Sequence, residues 1–317
     1  MNGHLRALVI AVLMLLGLGG ATVAAQAQTP EANGVIAFER LNPGTGDRDI
    51  YQVGLDGAQP QLLWSGGENP RWSPNGSQLA FLTCLDPPTC DTAVALLDPA
   101  TGAVQGFRMP DPDIFTACVV WTPVGDRLAC EGQGQSDPAL NGVYTIRSTD
   151  GEGLTRVTVN PNGDDSPLDY SPDGSRLLFA RSDPARPSGA NQALFVAAAD
   201  GRNAHRITPW GFTDDQASWS PSGRLIVFGT GGSLYRIRPD GTGLTKISLS
   251  TGPATQRATA FDVTWSPDGT RIVFSLRVRG AEQPGLYTAA PDGSQVQRVT
   301  TSPTGDHHAS WGAASGG

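Results

Sequence analysis

Lysine is almost missing from this chain of 317 residues, since Lys246 is the only one. Basic side chains number 22 against 30 acidic ones, a formal net charge of −8. A protein that binds nucleic acid or anionic lipid needs a basic face that releases counterions, so neither is expected as a partner. Cysteine is scarce as well. Cys84, Cys90, Cys118 and Cys130 include no CxxC pair, which argues against dithiol redox chemistry. No G-x-S-x-G elbow occurs, so nothing marks a hydrolase nucleophile. The one continuous apolar run, Ala7 to Leu18, is shorter than the roughly 20 residues a membrane span needs.

That run reads as part of an export signal. Met1 to Arg6 is a short basic start, Gly19 to Ala27 is rich in small residues, and Ala25-Gln26-Ala27 fits an A-x-A cleavage site, with Val23-Ala24-Ala25 beside it. Residues 1–27 are therefore expected to be a signal peptide. The mature chain is expected to be exported, periplasmic or extracellular, monomeric, and without a membrane span. No cysteine precedes Cys84 to carry a lipid after the signal. Four cysteines in an exported chain favour two disulfides. Cys84 and Cys90 bracket a Pro-rich loop that a bridge would close. Cys118 and Cys130 flank Trp121 and its turn, where hairpin pairing would bring them nearly opposite. Alternatively, Cys130 replaces a core Phe, standing nine residues after Trp121 as Phe274 stands after Trp265.

The chain does have a repeat in abundance. WSPNGSQLAF begins at Trp72, YSPDGSRLLF at Tyr170, WSPSGRLIVF at Trp219 and WSPDGTRIVF at Trp265. A degenerate WTPVGDRLAC begins at Trp121 and a truncated WG at Trp311. The aromatics are separated by 49, 49, 49, 46 and 46 residues, a period that marks an array of one supersecondary unit. In each unit a strand ends at the aromatic, S-P-D-G makes a tight turn, and an apolar strand follows. A third strand then leads through a DG turn to an alternating outer strand.

The last copy stops after its first strand, and Gly34 to Glu39 is an orphan second strand. Joining the two ends predicts an all-β, six-bladed propeller over residues 34–312, built of four-stranded antiparallel blades and closed by the N-terminal strand. Trp72, Trp121, Tyr170, Trp219, Trp265 and Trp311 are expected to pack between blades, since a six-fold feature suits a core better than a ligand site.

The turns after first and third strands fall on one face and are nearly uniform. The loops of the other face vary, as in CLDPPTC, EGQGQSDPALN from Glu131, RSDPARPSGANQ from Arg181 and STGPATQR from Ser250. Variable loops on a rigid scaffold mark that face as the expected working surface. Glu68, Asp165, Asp215, Asp262, Asp306, His307 and His308 precede the repeat aromatics and are candidates for an acidic channel mouth. Such a mouth would hold a divalent cation or a basic segment. No zinc or EF-hand spacing supports a metal, and adjacent His307 and His308 should face opposite ways on a strand. Replacing Asp215 and Asp306 by Asn is expected to weaken such binding with little effect on folding.

The string WSPDG-x-RIVF, followed by LY and a DG turn, resembles the TolB-like (WD40-like, PD40) propeller repeat over residues 34–312. The resemblance covers the propeller part alone, without the α/β domain that precedes it in TolB. It also resembles the propeller of prolyl-oligopeptidase-type peptidases, whose hydrolase elbow is missing here. These features imply an exported, non-enzymatic binding or scaffold propeller that docks a protein, peptide or glycan through its variable-loop face. The alternative is a propeller enzyme of lyase or lactonase type, working through a channel-mouth cation and His307 or His308.

Overall fold

The computed structural model describes the chain except residues 1–31, 56–58, 85–91, 109–110, 213–215, 251–257, 279, 282 and 315–317. The expected signal peptide, Cys90 and Asp215 thus lie outside the described residues.

Six four-stranded sheets are arranged in a ring, and within each the strands pair antiparallel. Their inner strands are Gly67–Trp72, Ile114–Trp121, Asp165–Tyr170, Ala217–Trp219, Thr259–Trp265 and Asp306–Ala313. Each touches its neighbours around a central channel. The sixth blade is composite. Inner strand Asp306–Ala313 pairs with Asn33–Leu41, which leads on to Arg48–Val53 and Gln61–Ser65. The register sets Ile36 against Trp311 and Arg40 against Asp306. This is the closure expected from the orphan strand and the truncated last repeat.

Phe81, Phe179, Phe228 and Phe274 stand nine residues after their repeat aromatics, and Phe38 is their counterpart in the composite blade. All five have no exposed surface. Cys130 fills the same place in the degenerate repeat and is also fully enclosed. The repeat aromatics themselves are buried, with Trp72 alone partly open. The S-P-N-G turn shows why the motif needs its last residue. Gly76 has φ +68°, and a Cβ there would sit 2.1 Å from the Ala313 carbonyl oxygen of the adjoining blade, so only glycine fits.

Cys84 and Cys130 are both disulfide-bonded, and no described cysteine is free. Cys118 lies directly opposite Cys130 in the hairpin register.

Phe38 should reveal how far stability rests on the closing strand. Phe38→Ala leaves a core cavity costing about 3–5 kcal/mol, or roughly 2–4 °C of melting temperature per kcal/mol. Deleting residues 34–40 should go further, exposing sheet edges and giving aggregated species on size exclusion. An unchanged melt and monomeric elution of the deletion variant would contradict the closure.

Candidate functional site

The inner strands do not run straight. The register between inner and second strand slips just before the repeat aromatic, at Glu68/Arg71, Cys118/Val120, Pro167/Asp169 and Phe261/Thr264, and in the composite blade at Ala37/Glu39. Three non-glycine residues at this bulge hold left-handed backbone, Asn69 at φ 53°, Asp262 at 54° and His308 at 48°. Asn and Asp tolerate that region better than most residues, and bulges re-aim the side chains around them. Each of the three stands three residues before its aromatic.

One residue before each aromatic lies a second ring, made of Arg71, Val120, Asp169, Ser218, Thr264 and Ser310. It stitches neighbouring blades together. Ser310 Oγ accepts from the Trp72 amide at 3.0 Å, Asp169 Oδ2 from the Trp219 amide at 2.6 Å, and Thr264 Oγ1 donates to Ser218 Oγ at 3.1 Å. Trp121 Nε1 donates to the Arg71 carbonyl at 3.0 Å.

Arg71 is the cation of this ring. With the Gln216 amide oriented to satisfy both partners, its Oε1 accepts from Arg71 Nη1 at 2.8 Å and Nη2 at 3.2 Å. Arg71 Nε is buried and has no hydrogen-bond partner among the described residues. Burial draws the guanidinium below its ordinary pKa, opposed by the charges of Asp169, Asp262 and Glu39. Asp169 is pushed up to about 6 by burial, although the Trp219 and Tyr170 amides, Arg71 and Ser218 all favour its charged form. Both residues keep some surface on the channel wall but are enclosed by protein on every other side.

Toward the variable-loop side a charged cluster surrounds the bulges. His308 Nδ1 lies 2.7 Å from Glu39 Oε1, while Glu39 also accepts from the Asn69 amide at 3.1 Å and pairs with Arg48. Burial opposes the charge on Glu39, but His308, Asn69 and Arg48 together hold its carboxyl below the usual range. Burial likewise opposes the charge on His308, yet Glu39 and Asp262 raise its pKa. Asp262 is held low against burial by His307 and His308.

The structure corrects several sequence expectations here. His307 and His308 do not face apart. The left-handed turn at His308 breaks the strand alternation, and both imidazoles reach Asp262, at 3.5 Å from Oδ2 and 3.8 Å from Oδ1 respectively. Asp165 and Asp306 do not form an acidic mouth. Each is fully enclosed and clasped inside its own blade, Asp165 by Arg181 through two 2.7 Å bonds and Asp306 by Arg40 at 2.6 and 2.9 Å. Thr158 and Thr300 donate to the same carboxylates. The arginines lie over Phe179 and Phe195, and over Phe38 and Tyr51. Glu68 is exposed. Among the described residues no group of three or more His, Cys, Asp or Glu is disposed to hold a metal.

Arg71, Asp169, Gln216 and Glu39 were not candidates from the sequence. A signal existed for the first two. They are the charged residues at a repeat position that otherwise carries Val, Ser or Thr.

The large concavity opens on the face of the uniform turns. It is a funnel of about 1140 Å³ walled by the six repeat aromatics and the S-P-x-G turns, with Arg71, Asp169 and Gln216 deep inside. A smaller cavity of about 240 Å³, lined by Asn69, Glu131, Ser166, Gln192 and His308, shares Arg71 as a wall. Val124, in the degenerate turn, lines the funnel and is 82% exposed. The other copies place Asn75, Asp173, Ser222 and Asp268 there.

Two substitutions check these assignments. Asp306→Asn should cost about 3–5 kcal/mol by leaving Arg40 with an unpaired, largely buried charge, so a mild effect in a denaturant melt would overturn the clasp. Asp169 keeps its proton to higher pH in the folded protein than in the unfolded chain. Its contribution to stability is therefore present below about pH 4 and lost as pH rises to about 6, by up to about 3 kcal/mol. Stability compared between wild type and Asp169→Asn should shift toward the variant over that window, and parallel pH profiles would refute the burial.

No protein-family model and no curated protein matches the chain. Among solved structures, TolB from Acinetobacter baumannii is similar at 18% identity and a TM-score of 0.64, over 88% of this chain. This chain spans 66% of that protein's length. A chain of a nidogen/laminin complex is similar at 9% identity and a TM-score of 0.63, over 89% of this chain and 99% of that one. Oligogalacturonate lyase in complex with manganese follows at 14% identity and a TM-score of 0.50, over 86% and 75%. Ring, closure and likeness agree that the chain has the fold of a TolB-like six-bladed propeller.

Proposed function

We propose that the protein is an exported binding or scaffold propeller that docks a protein or peptide partner in the funnel on its turn face. The observation that carries this reading is the funnel itself, about 1140 Å³ with an aromatic wall, a charged floor and Val124 standing 82% exposed at its side. Its volume exceeds the few hundred to 1,000 Å³ of common small-molecule pockets and suits several residues of a chain. Apolar and aromatic surface ringed by polar turns is the composition of an interaction hot spot. Likeness to TolB and to a chain from a nidogen/laminin complex supports a protein partner. The variable loops of the opposite face lie partly outside the described residues, and the cavity on that side is about a fifth as large.

Export places such a protein in the periplasm or outside the cell. Among the described residues no helix is long and apolar enough to cross a membrane.

A second reading, a lyase-type enzyme with a divalent cation, draws on the manganese-bound lyase and on the convergence of His307 and His308 on Asp262. Stoichiometric metal surviving dialysis of the purified protein would favour it.

The docking reading predicts that Val124→Asp, at an exposed turn, lowers capture of the native partner from an envelope or secreted fraction at least tenfold and leaves the thermal melt unchanged. Undiminished capture would count against the funnel.

A further inference from the structure

The funnel's depth holds one feature that partner docking in general does not explain. Arg71 carries five N–H donors. Gln216 Oε1 takes one hydrogen from each Nη, and among the described residues the buried Nε has no hydrogen-bond partner. No carboxylate lies within ion-pairing distance of this guanidinium among the described residues. The nearby acids are already committed. Asp169 spends its two oxygens on the Trp219 and Tyr170 amides, and Glu39 binds His308, Arg48 and the Asn69 amide. The two other acids on the funnel wall, Asp173 and Asp268, close their own turns through Ser171, Ser175, Ser266 and Thr270. A buried, under-bonded guanidinium is expensive unless a ligand completes it.

Two further guanidinium groups lie on the funnel wall. Arg176 and Arg224 join Arg71 on its wall, and Arg176 lies over the Trp219 ring with 5.5 Å between its guanidinium carbon and the ring centroid. These three arginines share the cavity with Asp169, Asp173 and Asp268, whose oxygens are already held by amides and hydroxyls, so the unpartnered Nε of Arg71 is what a ligand can still complete. Guanidinium groups match carboxylates in geometry as well as charge.

We propose that Arg71 is the anchor for a carboxylate carried on an Asp or Glu side chain of the docked segment, inserted through the ring of repeat aromatics. The proposal rests on the docking reading above and names the chemistry that the segment must bring. Gln216 positions the guanidinium, and the Trp121 Nε1 bond to the Arg71 carbonyl fixes its strand.

The test uses the full chain and its own tryptophan fluorescence at fixed ionic strength, because five of the six repeat aromatics that wall the funnel are tryptophans. The probes are acetyl-Gly-Asp-Gly-amide, its Asn counterpart, and acetyl-Gly-Gly with a free C-terminus. The Asp peptide should give a saturable response, with the Asn peptide at least tenfold weaker. Arg71→Lys, which keeps the buried charge but loses the planar fork, should weaken the Asp peptide at least fivefold while its melt stays near that of wild type. Arg71→Gln should abolish the response if it folds. Equal responses to the Asp and Asn peptides, full binding by Arg71→Lys, a response confined to the free C-terminus, or no saturable response would each overturn the proposal. Failure here, with partner capture still sensitive to Val124→Asp, would leave docking intact and remove only the role of Arg71. Insensitivity of capture to Val124→Asp would remove the docking reading itself.

Discussion

The antiparallel pairing of Asn33–Leu41 with Asp306–Ala313 is the constraint on which the rest of the molecule depends. It joins residues separated by almost the whole described chain, so its loop-closure entropy must be met by dense local contacts. Those contacts are present. Ile36, Ala37 and Phe38 are fully enclosed, Arg40 clasps Asp306, and Glu39 binds His308. The closing strand therefore supplies both a core layer and half of the charged cluster at the channel. Without the ring there would be no channel, and Arg71 would have no enclosed position to occupy.

The bulge in the inner strands turns that ring into a site. A straight strand would alternate its side chains between the channel and the neighbouring sheet. The slipped register and the left-handed residues Asn69, Asp262 and His308 interrupt this alternation. They bring neighbouring side chains such as His307 and His308 to one carboxylate. Below them the ring that includes Arg71, Asp169, Ser218 and Ser310 links blade to blade through amides and hydroxyls. The same residues thus hold the propeller together and line its axis, which couples the chemistry of the channel to the stability of the fold.

The architecture was legible because it is periodic. The aromatic spacing, the S-P-D-G turns, the Phe nine residues further on and the unmatched end strands each have one physical reading, and the ring, blade count and closure follow from them. The channel was less legible because its features are departures from periodicity. Asp165 and Asp306 occupy positions that suggest a mouth, but each faces an arginine on the paired strand, at Arg181 and Arg40. That pairing is implicit in the strand register, which sets each arginine opposite its aspartate. The orientation of His307 and His308 could not, since it depends on a backbone bulge that strand alternation does not encode. Arg71 and Asp169 needed only a column-by-column comparison of the repeats.

The shape of the two faces follows from how rigidity and variation are distributed. Loop variation allows specificity but does not by itself create a concave surface. The uniform turns are short and held by glycines that admit close approach of the next blade, as Gly76 does against Ala313. Tight turns of this kind give the funnel fixed walls. Specificity then has to come from the few positions where one repeat departs from the others. Val124 supplies an apolar contact at the wall, and Arg71 supplies a charge at depth. On the docking reading proposed above, a surface that is six-fold in its backbone would select a single partner orientation because these two departures sit on adjacent blades.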